Sequence, residues 1–212
     1  MDSTGRIENQ KAASKVGIFL DRDGVINEER SDYVKNWQEF RFLPGALQAI
    51  ARLSKAGLRI FVISNQSVIN RGLASLEDVE EIHHRMKNDV ERAGGMIEGI
   101  LYCPHTPEKN CECRKPRPGL LEKAAKIYGL ELERCYLIGD KLSDVAAGQA
   151  VGCHCVLVQT GREGTQSVGG QVRTRGKYRS SRDIGQAVAW ILEAERENSP
   201  IDYSPVGRRG SR

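Results

Sequence analysis

The sequence predicts an α/β fold built on a parallel sheet. Short runs rich in β-branched and aromatic residues alternate along the chain with segments of helical periodicity, and polar residues follow the ends of the predicted strands. The length of 212 residues suits one domain with a full hydrophobic core.

The first predicted strand is VGIFL, residues 16–20. A helix over 44–57 follows, with Pro44 at its first position and Gly57 at its C-terminal cap, and leads into the strand LRIFVIS at 58–64. Ser75 and Asp78 have the spacing of a capping box and open a helix over 75–94. The strand IEGILYC at 97–103 is followed by a helix over 118–129, bounded by Pro118 and Gly129. Then come the strand CYLIG at 135–139, a short helix over 143–152, the strand CHCVLV at 153–158 and a last helix over 184–197. Residues 1–14 and 197–212 are polar and aperiodic and are expected to be disordered tails around one domain at 15–196. The stretch 161–181, rich in Gly, Ser and Arg, is expected to form a flexible basic loop.

Charge and composition narrow the function classes. A net charge of +4 suits anionic substrates without requiring nucleic acid or a membrane surface. No segment approaches the roughly 20 apolar residues of a membrane span, and the N-terminal residues lack the apolar core of a signal peptide, so a cytoplasmic protein is expected. Of six cysteines, Cys103, Cys111 and Cys113 crowd together with His105 in CPHTPEKNCEC, whereas Cys135, Cys153 and Cys155 lie in apolar stretches. That distribution favours a metal site and buried thiols over disulfides. The C-x-H-x₅-C-x-C spacing provides four ligands for a tetrahedral structural Zn²⁺, which would stiffen a loop with little apolar content of its own. His83 and His84, on a charged helix, are expected to be exposed, and His154 to be a packing residue.

In parallel sheets chemistry collects at the carboxyl ends of the strands. Asp21 and Asp23 end the first strand, Ser64 the second, and Asp140 the fourth, while Lys115 follows the cysteine loop. Three carboxylates converging on one edge repel each other unless a hard cation such as Mg²⁺ bridges them. With Lys115 and the Ser64 hydroxyl they form a set suited to phosphoryl oxygens. Residues two apart in an extended segment face the same way, so Asp21 and Asp23 are expected to reach one phosphorus while Arg22 points elsewhere.

DRDGVIN, SNQ, RKP and GDKLSD resemble, in order and spacing, the four motifs of the haloacid dehalogenase superfamily of phosphatases. The resemblance covers about residues 16 to 160. It implies a three-layer α/β/α Rossmann-like domain, and the short interval 28–43 leaves no room for a cap domain. It also implies that Asp21 is the nucleophile of an aspartyl-phosphate mechanism and Asp23 the general acid and base, with Ser64 and Lys115 holding the phosphoryl group. The implied Mg²⁺ ligands are the Asp21 side chain, the Asp23 carbonyl and Asp140, with Asp144 orienting Lys141 or a metal-bound water. The implied contacts to a small sugar phosphate come from Glu29, Arg30, Ser31, Asp32, Ser64, Asn65, Gln66, Ser67, Arg114, Lys115 and Lys141. The zinc loop at 103–113 is similar to that of the subgroup holding heptose-bisphosphate and histidinol-phosphate phosphatases. NQSVINRG and RKPRPG favour the heptose type, whereas the five-residue gap between ligand pairs is also found in the histidinol type. A monomer is expected. A nucleic-acid end phosphatase or binding module using the Arg-rich loop is an alternative of another class, for which the sequence carries no recognition motif.

Overall fold

The computed structural model describes residues 14–161 and 176–197. The expected tails at 1–14 and 197–212, apart from Ser14 and from Glu197, which ends a helix, and most of the expected basic loop lie outside them. Six parallel strands form one sheet in the order β3-β2-β1-β4-β5-β6: β1 Gly17–Leu20, β2 Arg59–Asn65, β3 Gly99–Cys103, β4 Tyr136–Gly139, β5 His154–Val158 and β6 Arg179–Ser181. The chain runs outward from β1 through β2 to β3, returns to β4 on the other side of β1, and continues to β6. The strand order therefore reverses between β1 and β4, and the crevice at their carboxyl ends is where a ligand is expected.

Alternation along the strands divides the core into two faces. Ile18, Leu20, Ile60, Val62 and Ile138 pack under the helices α1 Ala46–Lys55, α2 Leu76–Arg92 and α5 Ile184–Glu197. Phe19, Phe61, Ile63 and Leu137 pack under α3 Gly119–Tyr128 and α4 Leu142–Ala150. This is the predicted three-layer α/β/α arrangement, and no cap domain interrupts the described residues. No helix among them is long and apolar enough to cross a membrane.

The capping box forms as predicted, with Ser75 Oγ accepting from the Asp78 amide and Asp78 accepting from the Ser75 amide. Gly129 closes α3 in the left-handed conformation at φ +66°. The two prolines sit earlier than predicted, because Pro118 is the N-cap of α3 and Pro44 precedes Gly45, the N-cap of α1. The expected loop at 161–181 is corrected at its end, since Arg179–Ser181 form the edge strand β6 on β5. A three-residue polar edge strand has no apolar alternation to mark it. Its burial comes from Arg179, whose guanidinium carbon lies 5.1 Å from the centre of the Trp190 ring.

Phe61 is fully buried, with its ring 5.8 Å from that of Phe19 and 4.7 Å from that of Tyr128. Phe61→Ala is expected to lower stability by about 3–5 kcal/mol, read as a fall in the urea midpoint at unchanged slope. A loss below about 1 kcal/mol would show that this face collapses around the gap.

Candidate active site

The β1 ladder continues one residue past the strand, where the Asp21 amide donates to the Ile138 carbonyl at 2.9 Å. This bond places Asp21 beside β4 and the residues that follow it. The carboxylates of Asp21, Asp140 and Asp144 are all buried and offer oxygens within 4.8 Å of one another. Lys115 enters this cluster from the far side of the sheet edge. Its Nζ donates to the Ile63 carbonyl at 2.8 Å and forms ion pairs with Asp21 at 2.8 Å and Asp144 at 2.5 Å. Burial alone would lower its pKa, but the charges of Asp144 and Asp21 outweigh it and hold Lys115 protonated.

Asp140 is left over. Neither of its oxygens accepts a hydrogen bond, and the ammonium of Lys141 lies 4.0 Å away. Burial, and then the negative charges of Asp21 and Asp144, push its pKa well above the usual carboxylate range. A buried carboxylate without a hydrogen-bond donor, beside a second carboxylate, fits a hard divalent cation with oxygen ligands. Space for Asp140 depends on two glycines. A Cβ on Gly24, at φ +83°, would come within 2.4 Å of Asp140 Oδ2, and a Cβ on Gly161 within 2.1 Å.

Asp144 also accepts from the Lys141 amide at 3.0 Å, but its predicted role of orienting Lys141 or a metal-bound water is secondary to its pairing with Lys115. The Lys141 ammonium instead meets Glu29 at 2.5 Å, which brings one end of the predicted substrate loop to the site edge. Arg30 and Asp32 pair with each other at 3.0 Å, Asp32 also binds Lys35, and Ser31 is exposed beside them.

Asp23 departs from expectation. Its carboxylate lies outside the acidic cluster and accepts from Arg22 Nη2 at 3.0 and 2.8 Å, Asn27 Nδ2 at 2.8 Å and Gln66 Nε2 at 2.8 Å. Burial would raise its pKa, but the Arg22 charge and these hydrogen bonds together hold it below the usual value. Arg22 does not point elsewhere. It is 1% exposed and packed against the acid. His83, expected at the surface, is 3% exposed and has Nε2 3.4 Å from Arg22 Nη1. Burial, then the Arg22 charge, push its pKa down to about 3, so its ring is neutral. His84 is exposed and His154 packs on Tyr136, as expected.

The residues after β2 divide their work. Ser64 is 1% exposed and its Oγ accepts from Gln66 Nε2 at 2.8 Å. Asn65 grips the Lys115 backbone, with Oδ1 accepting from its amide and Nδ2 donating to its carbonyl, both at 3.1 Å. These two bonds give Asn65 a positioning role at Lys115. Ser67 is buried and its carbonyl accepts from the Arg71 amide.

Cys103, His105, Cys111 and Cys113 converge as predicted. Five of the six edges of the figure they form measure 3.2 to 3.5 Å between Sγ and Nδ1 atoms. Metal–ligand bonds of about 2.0–2.3 Å in a tetrahedron of one nitrogen and three sulfurs give edges of about 3.5–3.8 Å, so the group is slightly contracted relative to a Zn²⁺ site and near the size that holds that ion. Arg114 donates to the His105 carbonyl at 3.0 Å, which ties this residue to the loop. The remaining cysteines, Cys135, Cys153 and Cys155, are buried free thiols.

The family model described as HAD-hydrolase-like matches residues 112–180. A D-glycero-β-D-manno-heptose-1,7-bisphosphate 7-phosphatase of Pseudomonas aeruginosa is 43% identical over 152 residues, 72% of this chain and 85% of its own. One from Pseudomonas putida is 45% identical over 145 residues, 68% of this chain and 83% of its own. The D,D-heptose 1,7-bisphosphate phosphatase of B. bronchiseptica, solved in complex with magnesium and phosphate, superposes with a TM-score of 0.76 at 36% identity, covering 84% of this chain and 98% of that one.

The repulsion at Asp140 has a measurable consequence. Asp140→Asn is expected to raise the cation-free melting temperature by about 2–4 °C, the equivalent of roughly 1 kcal/mol in a chain of this size. It should also abolish the rise that saturating Mg²⁺ produces in the unmodified protein. Thermal melts with and without MgCl₂ check both, and a lower cation-free melting temperature for the variant would contradict the assignment.

Proposed function

The chain belongs to the family of D-glycero-β-D-manno-heptose-1,7-bisphosphate 7-phosphatases, haloacid dehalogenase-like hydrolases, and from this we propose that it removes the 7-phosphate of that sugar by a Mg²⁺-dependent reaction and leaves the 1-phosphate in place. The observation that carries the reading is Asp21, paired with Lys115 and set beside the hydrogen-bond-free Asp140 at the point where the strand order reverses. Mg²⁺ held by the Asp21 and Asp140 carboxylates and the Asp23 carbonyl would neutralise charge on the phosphoryl oxygens.

The chain's own residues perform the bond changes. An Asp21 oxygen attacks phosphorus, and the bond to the sugar's O7 breaks as Asp23, ionised in the free protein and carrying a proton taken from solvent in the substrate complex, delivers that proton to O7. Asp23, now a carboxylate, takes a proton from a water whose oxygen bonds to phosphorus while the Asp21–phosphorus bond breaks. Both aspartates return to their starting state, and inorganic phosphate leaves. Lys115 offsets the charge of Asp21 and the transferred group, and the Ser64 hydroxyl can donate to a phosphoryl oxygen.

The distal 1-phosphate then lies beyond the metal site, among Arg114, Lys141 and the loop at Glu29 to Asp32. Arg114 keeps donors free after its bond to His105 and suits a bidentate grip on phosphate. Zn²⁺ at Cys103, His105, Cys111 and Cys113 is structural in this reading and holds the loop that carries Arg114 and Lys115. A cytoplasmic location accords with the reduced thiols this site needs.

Asp21→Asn is expected to abolish turnover with the fold retained, because an amide is nearly isosteric but cannot form the acyl phosphate. Turnover persisting after deamidation is excluded would refute the covalent route. With the unmodified protein, kcat/KM should be higher on the heptose bisphosphate than on histidinol phosphate, and the reverse order would favour the histidinol reading. Elemental analysis should find about one Zn²⁺ per chain, and Cys111→Ser should lower zinc content and activity together. Zinc-free enzyme with full activity would remove the structural role.

A further inference from the structure

Arg22 stands between the two reacting aspartates, yet no step of the reaction above uses it. Its guanidinium meets both oxygens of Asp23, at 3.0 and 2.8 Å, while Asn27 holds Oδ1 and Gln66 holds Oδ2. An ionised carboxylate offers about four lone-pair sites, so these four contacts fill it. The contacts are not equivalent. Asn27 and Gln66 each bring a neutral amide to one oxygen, whereas Arg22 brings charge and spans both, and so sets the plane of the carboxylate. Gln66 also donates to Ser64 Oγ at 2.8 Å, which makes it the contact most readily withdrawn when a phosphoryl group engages Ser64.

The guanidinium is itself held from behind. His83, buried on α2, places Nε2 at 3.4 Å from Arg22 Nη1, and its ring lies 5.0 Å from that of Tyr102 on β3. The Tyr102 hydroxyl donates in turn to Glu80. A run of side chains thus extends from Asp23 through α2 to the surface, with Arg22 and His83 as its buried members.

We propose that Arg22, backed by His83, is a positioning residue that aims the Asp23 carboxylate at the leaving oxygen and then at the attacking water without touching substrate. The proposal rests on the reading of Asp23 as general acid and base. It predicts a dependence on the leaving group that a purely structural arginine would not produce.

The test compares the heptose bisphosphate with p-nitrophenyl phosphate in the intact protein. Nitrophenolate departs without a proton, so the first phosphoryl transfer from it needs no acid, whereas hydrolysis of the aspartyl phosphate needs the base with either substrate. Arg22→Met should lower kcat on the sugar phosphate about 100-fold or more with KM within about threefold. On p-nitrophenyl phosphate the first-turnover burst of nitrophenolate should stay within about fivefold of the unmodified protein while steady-state turnover slows. Arg22→Lys, whose single ammonium cannot span both oxygens, should show the same pattern more weakly, and so should His83→Leu. These two carry the test if Arg22→Met does not fold. Equal losses in the burst and in sugar-phosphate turnover would overturn the proposal, as would unmodified sugar-phosphate kinetics in Arg22→Lys. Asp23→Asn separates the two levels, since full sugar-phosphate turnover by that variant would refute the acid–base reading whatever Arg22 does.

Discussion

Asp21, Asp140 and Asp144 offer oxygens within 4.8 Å of one another in a buried cleft, and their mutual repulsion is the constraint around which the site is built. Two unit charges 4 Å apart interact by about 4 kcal/mol at an effective dielectric constant near 20, a large share of the stability of a domain this size. Lys115 brings one positive charge against the three and shares it between Asp21 and Asp144. Asp140 keeps its repulsion, and the glycines at 24 and 161 keep side-chain atoms out of the space around it. A cation there satisfies both the fold and the chemistry.

The same constraint explains why so much structure is spent on Lys115. An ammonium displaced by even an ångström would leave two buried carboxylates uncompensated. Asn65 therefore clamps its backbone from β2, and the Ile63 carbonyl accepts a hydrogen bond from its ammonium. The tetrahedral Cys103, His105, Cys111 and Cys113 group holds the preceding turn. Gly119 lets that turn close on α3, since a Cβ there would come within 2.5 Å of the Glu112 carbonyl. Zinc in this position would act through electrostatics at a distance, by fixing where a lysine can be.

Features written in local pattern were legible in the sequence. The strands β1 to β5 show as apolar runs, the capping box at Ser75 shows as spacing, and the zinc ligands show as a cluster. The acids at 21 and 140 stood out because strand ends could be compared. What escaped depends on tertiary contact. Arg22 follows Asp21 in an extended segment, and alternation alone sends it away from the acids, whereas the turn closed by the Ile26 amide on the Arg22 carbonyl brings Asp23 back to it. His83 sits in a charged helix, and only the placement of α2 against Arg22 and Tyr102 buries it. The sequence marks Asn65 only as one of a polar run after β2, and its pair of bonds to the Lys115 backbone, 50 residues later in the chain, appears only in the fold. The pairing of Arg22 with Asp23 had one visible signal, opposite charges at adjacent positions, and that signal is too common on protein surfaces to be diagnostic.

Without a cap domain, selectivity must come from a rim of polar loops, which cannot hold their shape through apolar burial. Each loop is instead tied by a different device. The converging side chains of Cys103, His105, Cys111 and Cys113 draw residues 103–113 together. The 28–35 loop is held by Glu29 on Lys141 at one end and by the Arg30, Asp32, Lys35 and Glu39 charges at the other. Tyr33, at φ +67°, turns its ring under Arg71 of the loop that follows β2, with the guanidinium carbon 5.8 Å from the ring centre. Exposed ion pairs contribute little singly, and a bulky residue in the left-handed region is strained, so neither would persist for stability alone. Their common effect is to join the loops after β1 and β2 above the carboxylate cluster. Lys115, Ser64 and Asp21 are buried, and the ties become more exposed with distance from them. A phosphatase arranged in this way can keep one invariant reaction centre while the outer loops determine which molecule carries the phosphate to it.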